Sequence, residues 1–93
     1  VWVDLAERRV RRGEDEIHLT RTEFELLAYL AARPRVAVSR DALLTEVWGW
    51  ADSAFEQAGS RTVDSHVKAL RRKLGSDLIR TVHGIGYALE VPR

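Results

Sequence analysis

Residues 61–74 read RTVDSHVKALRRKL, in which Val63, Val67, Leu70 and Leu74 recur at three- and four-residue spacing. At ~100° per residue the four fall in one narrow sector of a helix, the geometry of a core-facing stripe. The spacing predicts a helix over 61–74 around which a small core is built. Taking the stripe as the buried direction, the opposite face carries Arg61, Ser65, Lys68, Ala69 and Arg72, with Thr62, His66, Arg71 and Lys73 on the flanks. One acid, Asp64, stands against five basic residues. A helix with a small and basic outward face fits the width of a DNA major groove.

The remaining composition narrows the field. A chain of 93 residues has room for one modest core. No apolar run approaches the ~20 residues needed to span a bilayer, and no signal peptide is legible, so a cytoplasmic location without a membrane partner is expected. With no cysteine there is neither a disulfide nor cysteine-ligated zinc. The formal net charge of +1 conceals an uneven distribution. Residues 61–80 hold six basic and two acidic side chains, whereas residues 41–60 hold Asp41, Glu46, Asp52 and Glu56 with no Lys or Arg. Two oppositely charged surfaces imply two different partners.

Three short strands are predicted first, at Val1–Val3, Arg9–Arg11 and Ile17–Leu19, with Gly13 to Glu16 as a turn. Thr20 with Glu23 three residues on is a capping-box signature, and Phe24, Leu27, Leu30 and Ala31 continue at helical spacing up to Pro34. Ser39 can cap a second helix that buries Leu43, Leu44, Val47 and Trp48 and stops at Gly49. Val36 to Val38 is a short extended link between them. Residues 49–60 (GWADSAFEQAGS) lack a clean period and read as a loop. Ser60 or Thr62 would cap the basic helix, placing Asp64 in its first turn, where it favours the helix dipole or orients a neighbouring Arg. Gly75 would close that helix in a left-handed conformation. Leu78–Val82 and Tyr87–Val91 read as strands of a β-hairpin joined by His83-Gly84-Ile85-Gly86.

The order of sheet, three helices and hairpin is α+β and matches a winged helix-turn-helix, a single domain over residues 1–93. Four blocks carry a closer likeness: LTRTEFELLAYLAARP (Leu19 to Pro34), VSRDALLTEVWG (Val38 to Gly49), RTVDSHVKALRRKL and IRTVHGIGYAL (Ile79 to Leu89). In order and spacing they resemble the DNA-binding effector domain of OmpR/PhoB-family response regulators. That resemblance implies a bacterial transcription factor of a two-component phosphorelay, in which an N-terminal receiver domain, absent from this chain, controls the effector. It further implies double-stranded DNA as partner, bound at directly repeated half-sites, with the isolated domain monomeric and no cofactor.

Carried over by position, the resemblance makes Arg61, Thr62, His66 and Arg71 phosphate contacts and puts Ser65, Lys68 and Ala69 nearest the bases. Arg72 joins them because the helical wheel points it outward. In the wing, over about 82–87 and set on the backbone or minor groove, Thr81 and Tyr87 match the family pattern, and His83 stands where the pattern has Arg. Gly84 and Gly86 allow positive backbone angles and close approach to a phosphate chain. The family's loop between the second and third helices faces RNA polymerase in some members, which points to Asp52, Phe55 and Glu56 as polymerase-facing residues.

Other classes fit less well. Asp64, Ser65 and His66 contain the residue types of a hydrolase triad, but consecutive helix positions are splayed by ~100°. Gly84-Ile85-Gly86 lacks the third glycine and the following helix of a dinucleotide site. His18, His66 and His83 lack metal-ligand spacing. No enzyme is therefore expected, and the alternative that remains is a winged-helix module that binds protein. A duplex-binding chain makes a specific demand of His83, because a neutral imidazole binds phosphate less well than a guanidinium. A protonated imidazole would carry the charge that the family's guanidinium supplies, so DNA affinity should be higher at about pH 6 than at about pH 8. A His83→Arg variant should bind tightly at both, as a duplex titration at the two pH values would record.

Overall fold

The computed structural model describes residues 2–49 and 57–90, the side chains of 57–60 excepted. Strands β1 (Trp2–Asp4), β2 (Arg9–Arg12) and β3 (Asp15–Ile17) form an antiparallel sheet in that order. Its register pairs Val3 with Val10 and Val10 with Ile17, an inward row that meets the core at the buried Val10. The opposite row, Trp2 with Arg11 and Arg11 with Glu16, faces solvent, and the Arg11 guanidinium lies 5.3 Å from the Trp2 ring centre. The third strand comes earlier than its sequence suggested. Only Gly13 and Glu14 turn, so Asp15 and Glu16 pair while His18 and Leu19 lead into the helix.

Helix α1 (Arg21–Ala31) begins on the capping box: Glu23 N–H donates to Thr20 Oγ1 at 3.2 Å, and Thr20 N–H donates to Glu23 Oε1 at 3.0 Å. Phe24, Leu27 and Leu30 are buried, as their spacing predicted, and so is Leu26. Leu26 lies outside that stripe but is covered because α1 packs at once against the second helix, the helix Gln57–Leu74 and the strand Gly86–Leu89. The N-terminal sheet is fastened to α1 by Arg8, whose guanidinium sits 4.5 Å from the Phe24 ring centre and 3.9 Å from Glu25.

Ser39 caps α2 (Arg40–Leu43) through its hydroxyl, which accepts from Ala42 N–H at 3.0 Å. The helix then widens into a π turn over Leu44–Trp48 and stops at Gly49 with φ of 72°. Leu43 and Leu44 are buried, while Val47 and Trp48 are only half-buried. The link before α2 is more than a connector. Val38–Ser39 is a strand, β4, and pairs with the last strand of the chain.

Helix α3 spans Gln57–Leu74, four residues earlier than the stripe alone suggested. Gln57 to Ser60 is therefore helical and not loop, and Ser60 and Thr62 lie inside the helix, so neither caps it. Residues 57–60 lie in the stretch that lacked a clean period, and the interior Gly59 costs only about 1 kcal/mol against alanine, which an otherwise well-anchored helix absorbs. Asp64 accordingly sits in the third turn, beyond the reach of the N-terminal dipole, which fades within the first turn. Val63, Val67 and Leu70 are fully buried and Leu74 nearly so, and Gly75 ends the helix at φ of 116°.

Strands β5 (Ile79–Val82) and β6 (Gly86–Leu89) form the expected hairpin, with β4 added on the far side of β6 to give the order β4-β6-β5. The two wing glycines do different work. Gly84 has φ of 79° at the third position of a turn closed by Ile85 N–H donating to Val82 O at 2.9 Å, a position that favours glycine for its backbone angle. Gly86 is buried, and a Cβ there would lie 2.0 Å from the Val38 carbonyl oxygen, so it serves the approach of β4 and not that of a phosphate. A Gly84→Ala variant should lose about 1–2 kcal/mol of stability. Gly86→Ala should lose more, about 3 kcal/mol, because backbone must move. Thermal melts of the two variants would rank them.

Candidate nucleic-acid interface

The buried stripe fixes the rotation of α3, and the structure can be read outward from it. Arg61, Ser65, Lys68 and Arg72 are exposed, while Thr62 and Ala69 are partly so. These are the residues that the wheel and the resemblance placed towards DNA. His66 is turned aside. Its ring meets Trp48 edge-on, with centroids 5.1 Å apart, and its Nδ1 lies 2.8 Å from the Thr62 carbonyl oxygen. A carbonyl can only accept, so Nδ1 carries the proton of that bond.

Other basic side chains of the segment are committed within the fold. Lys73 Nζ reaches Glu23 Oε1 at 2.6 Å, joining the last turn of α3 to the capping box of α1. Burial alone would raise the Glu23 pKa, but the hydrogen bonds from Lys73 and Thr20 outweigh it and hold the carboxyl below the ordinary glutamate range. Arg71 donates from Nε and Nη2 to the Ile79 carbonyl at 3.0 and 2.7 Å, and from Nη2 to Thr81 Oγ1 at 2.9 Å. Arg80 of β5 pairs with Glu90, just past the end of β6. Sequence reasoning treated Arg71 as a surface phosphate contact. The structure makes it first a strut between α3 and β5.

Tyr87 departs further from a surface role. It is only 5% exposed, and its hydroxyl donates to Asp64 Oδ1 at 2.5 Å. Burial together with that bond raises its pKa, because the phenol must keep its proton. Asp64 also accepts from Arg40 Nε at 2.8 Å, and these two donors offset desolvation and lower its pKa. The Arg that Asp64 orients is thus Arg40, at the start of α2, which no local pattern of the chain singles out. Arg40 and Arg71 approach the Tyr87 ring to 5.0 and 5.6 Å from its centre. Thr81 is half-buried opposite Tyr87, and His83, Gly84 and Ile85 are exposed at the hairpin turn. Asp52, Phe55 and Glu56 lie outside the described residues.

Residues 13–89 match the family model of the transcriptional regulatory protein C-terminal domain, the OmpR/PhoB type. The chain belongs to this family. It is 43% identical over 96 residues to the transcriptional regulatory protein SrrA of Staphylococcus aureus, covering 96% of this chain and 38% of that protein. It is 38% identical over 88 residues to the uncharacterized transcriptional regulatory protein YkoG of Bacillus subtilis, covering 89% of this chain and 36% of that protein. The chain therefore spans well under half the length of these relatives.

Among solved structures, the DNA-binding domain of Bacillus subtilis CssR superposes with a TM-score of 0.78 at 33% identity, covering 95% of this chain and 97% of that one. The Klebsiella pneumoniae RstA DNA-binding domain, solved in complex with the RstA box, gives 0.80 at 29% identity, covering 95% and 88%. The α+β winged-helix architecture is the one these neighbours share.

Because the folded-state pKa of Glu23 is depressed, its pairing contributes stability above the unfolded value near 4.5 and loses it as pH falls through the folded value. Glu23→Gln should therefore destabilise the domain at neutral pH and narrow the gap to wild type below about pH 4.5. Melting temperatures from about pH 7 down to about pH 3 would show whether the two curves converge.

Proposed function

We propose that this chain binds double-stranded DNA sequence-specifically and serves transcription control as the effector domain of a two-component response regulator. Helix α3 enters the major groove, and the turn 83–85 reaches the backbone or minor groove. The observation that carries this reading is the division of basic residues along α3. Lys73 and Arg71 are bound to Glu23 and to β5, whereas Arg61, Lys68 and Arg72 stand exposed on one side with Ser65 between them.

On this reading Arg61 and Arg72 neutralise phosphates, and Thr62 and His66 support the backbone contacts. Ser65, Lys68 and Ala69 face base edges, with Ala69 able to offer only apolar contact, for example to a thymine methyl group. Thr81 and His83 belong to the wing. Arg71 and Tyr87, though matched to the family's contact pattern, act chiefly by holding the wing against α3. Direct-repeat half-sites occupied head to tail, a monomeric free domain and control by a receiver domain belong to the same proposal. RNA polymerase contact through Asp52, Phe55 and Glu56 belongs to it as well.

Selection of bound duplexes from a randomised pool, sequenced at two salt concentrations, tests the proposal. A repeated half-site should be enriched. Affinity for it should fall steeply with salt, and Arg72→Met should reduce the slope of log affinity against log salt by about 0.9, the share of one phosphate. If the chain retains no duplex at all, a protein-binding winged helix takes the place of this reading.

A further inference from the structure

Two side chains of helix α3 meet on one rung of the hairpin. Thr81 and Tyr87 face one another across β5 and β6, and α3 reaches both. Arg71 donates to Thr81 Oγ1, and Asp64, seven residues earlier, accepts from the Tyr87 hydroxyl. Seven residues are nearly two full turns, so both gripping residues lie on one flank of α3, about 10 Å apart along its axis. The next rung, Val82 with Gly86, leads directly into the turn 83–85. Whatever the wing presents to a ligand projects just past this grip.

The two halves of the grip are built differently. Arg71 also fastens to a main-chain carbonyl and so holds β5 by its backbone. Asp64 depends on a third element, since Arg40 from α2 donates to the same carboxylate oxygen that Tyr87 uses and has its Nη2 3.4 Å from the Tyr87 hydroxyl. Arg40 and Asp64 are not core residues, with side chains 30% and 46% exposed. Asp64 is also one turn from both Arg61 and Lys68, so without Arg40 its carboxylate would compete for those two cations.

We propose that Arg40 and Asp64 are positioning residues that set the placement of the wing against α3, so that the wing's DNA contacts depend on a pair whose bonds are made within the protein. This inference rests on the DNA-binding reading above. It assigns to α2, in addition to its packing, the task of fixing how far the wing tip stands from the major-groove face.

Footprinting of the 93-residue chain on a duplex selected from the random pool separates the two DNA-facing elements. Dimethyl sulfate reports the major groove under α3, and hydroxyl radicals report the sugars beneath the wing. Asp64→Asn should keep the major-groove protection, lose the flanking sugar protection and weaken binding about tenfold, the scale of coupling found within one hydrogen-bonded network. Arg40→Gln should give the same pattern and carries the test if Asp64→Asn fails to fold. Retention of the flanking protection in both variants, its absence in wild type, parallel loss of both protections, or unfolding of both variants would overturn the proposal. Failure of the wild-type chain to bind any duplex would instead remove the DNA-binding reading, and this inference with it.

Discussion

Burial of Val63, Val67, Leu70 and Leu74 is the constraint on which the rest of the molecule depends. Burying a Val or Leu side chain contributes ~1.5–3 kcal/mol, so the four together supply roughly 6–12 kcal/mol as an upper bound. That is comparable to the whole net stability of a small domain, about 5–15 kcal/mol. A turn of α3 by even one residue position, ~100°, would exchange apolar for charged side chains against α1. The outward face is therefore determined by the inward one. Arg61, Ser65, Lys68 and Arg72 are exposed because the stripe leaves them nowhere else to go.

This explains which parts of the structure were legible in the chain. Periodicity reports burial along one helix, and the stripe and the α1 spacing were found by it, while the glycine-containing link 83–86 marked the hairpin. Caps made within a few residues were equally readable, as at Thr20 with Glu23 and at Ser39 with Ala42. Bonds between distant segments were not. Nothing local marks Lys73 for Glu23, fifty residues away, or Arg40 for Asp64, twenty-four away. For the same reason Tyr87 read as a wing residue by its position and proved to be buried, its hydroxyl bound to Asp64 and its ring beside Arg40 and Arg71. The early start of α3 was missed for a different reason, since residues 57–60 precede the apolar stripe and carry no clean period of their own.

Charge is distributed by the same economy. Among the six basic residues between positions 61 and 80, Arg71, Lys73 and Arg80 have partners within the fold, whereas among the described residues Arg61, Lys68 and Arg72 carry no ion pair. The committed three are fastened to Ile79 and Thr81, to Glu23 and to Glu90, so they brace α3 and the hairpin. On the proposed reading the other three are left to exchange counterions for phosphate, so a near-neutral total charge is compatible with a locally cationic surface.

The segment of α3 that would read bases lies between two braces. Ser65, Lys68 and Ala69 fall between Asp64, tied to Arg40 and Tyr87, and Arg71, tied to Ile79 and Thr81. Hydrogen bonding to a base edge requires heavy atoms within about 3 Å and near-linear geometry, a tolerance that a helix free to roll on an apolar seam would not keep. The stripe sets the face of α3, but apolar packing is non-directional and limits small rolls only weakly. Directional bonds at both ends of the reading segment, made to elements on the same flank, remove that remaining freedom. An acid on a DNA-facing helix is tolerable on these terms: its charge is shared with Arg40 and the Tyr87 hydroxyl, and the repulsion it would offer a phosphate is exchanged for the rigidity of the surface around it.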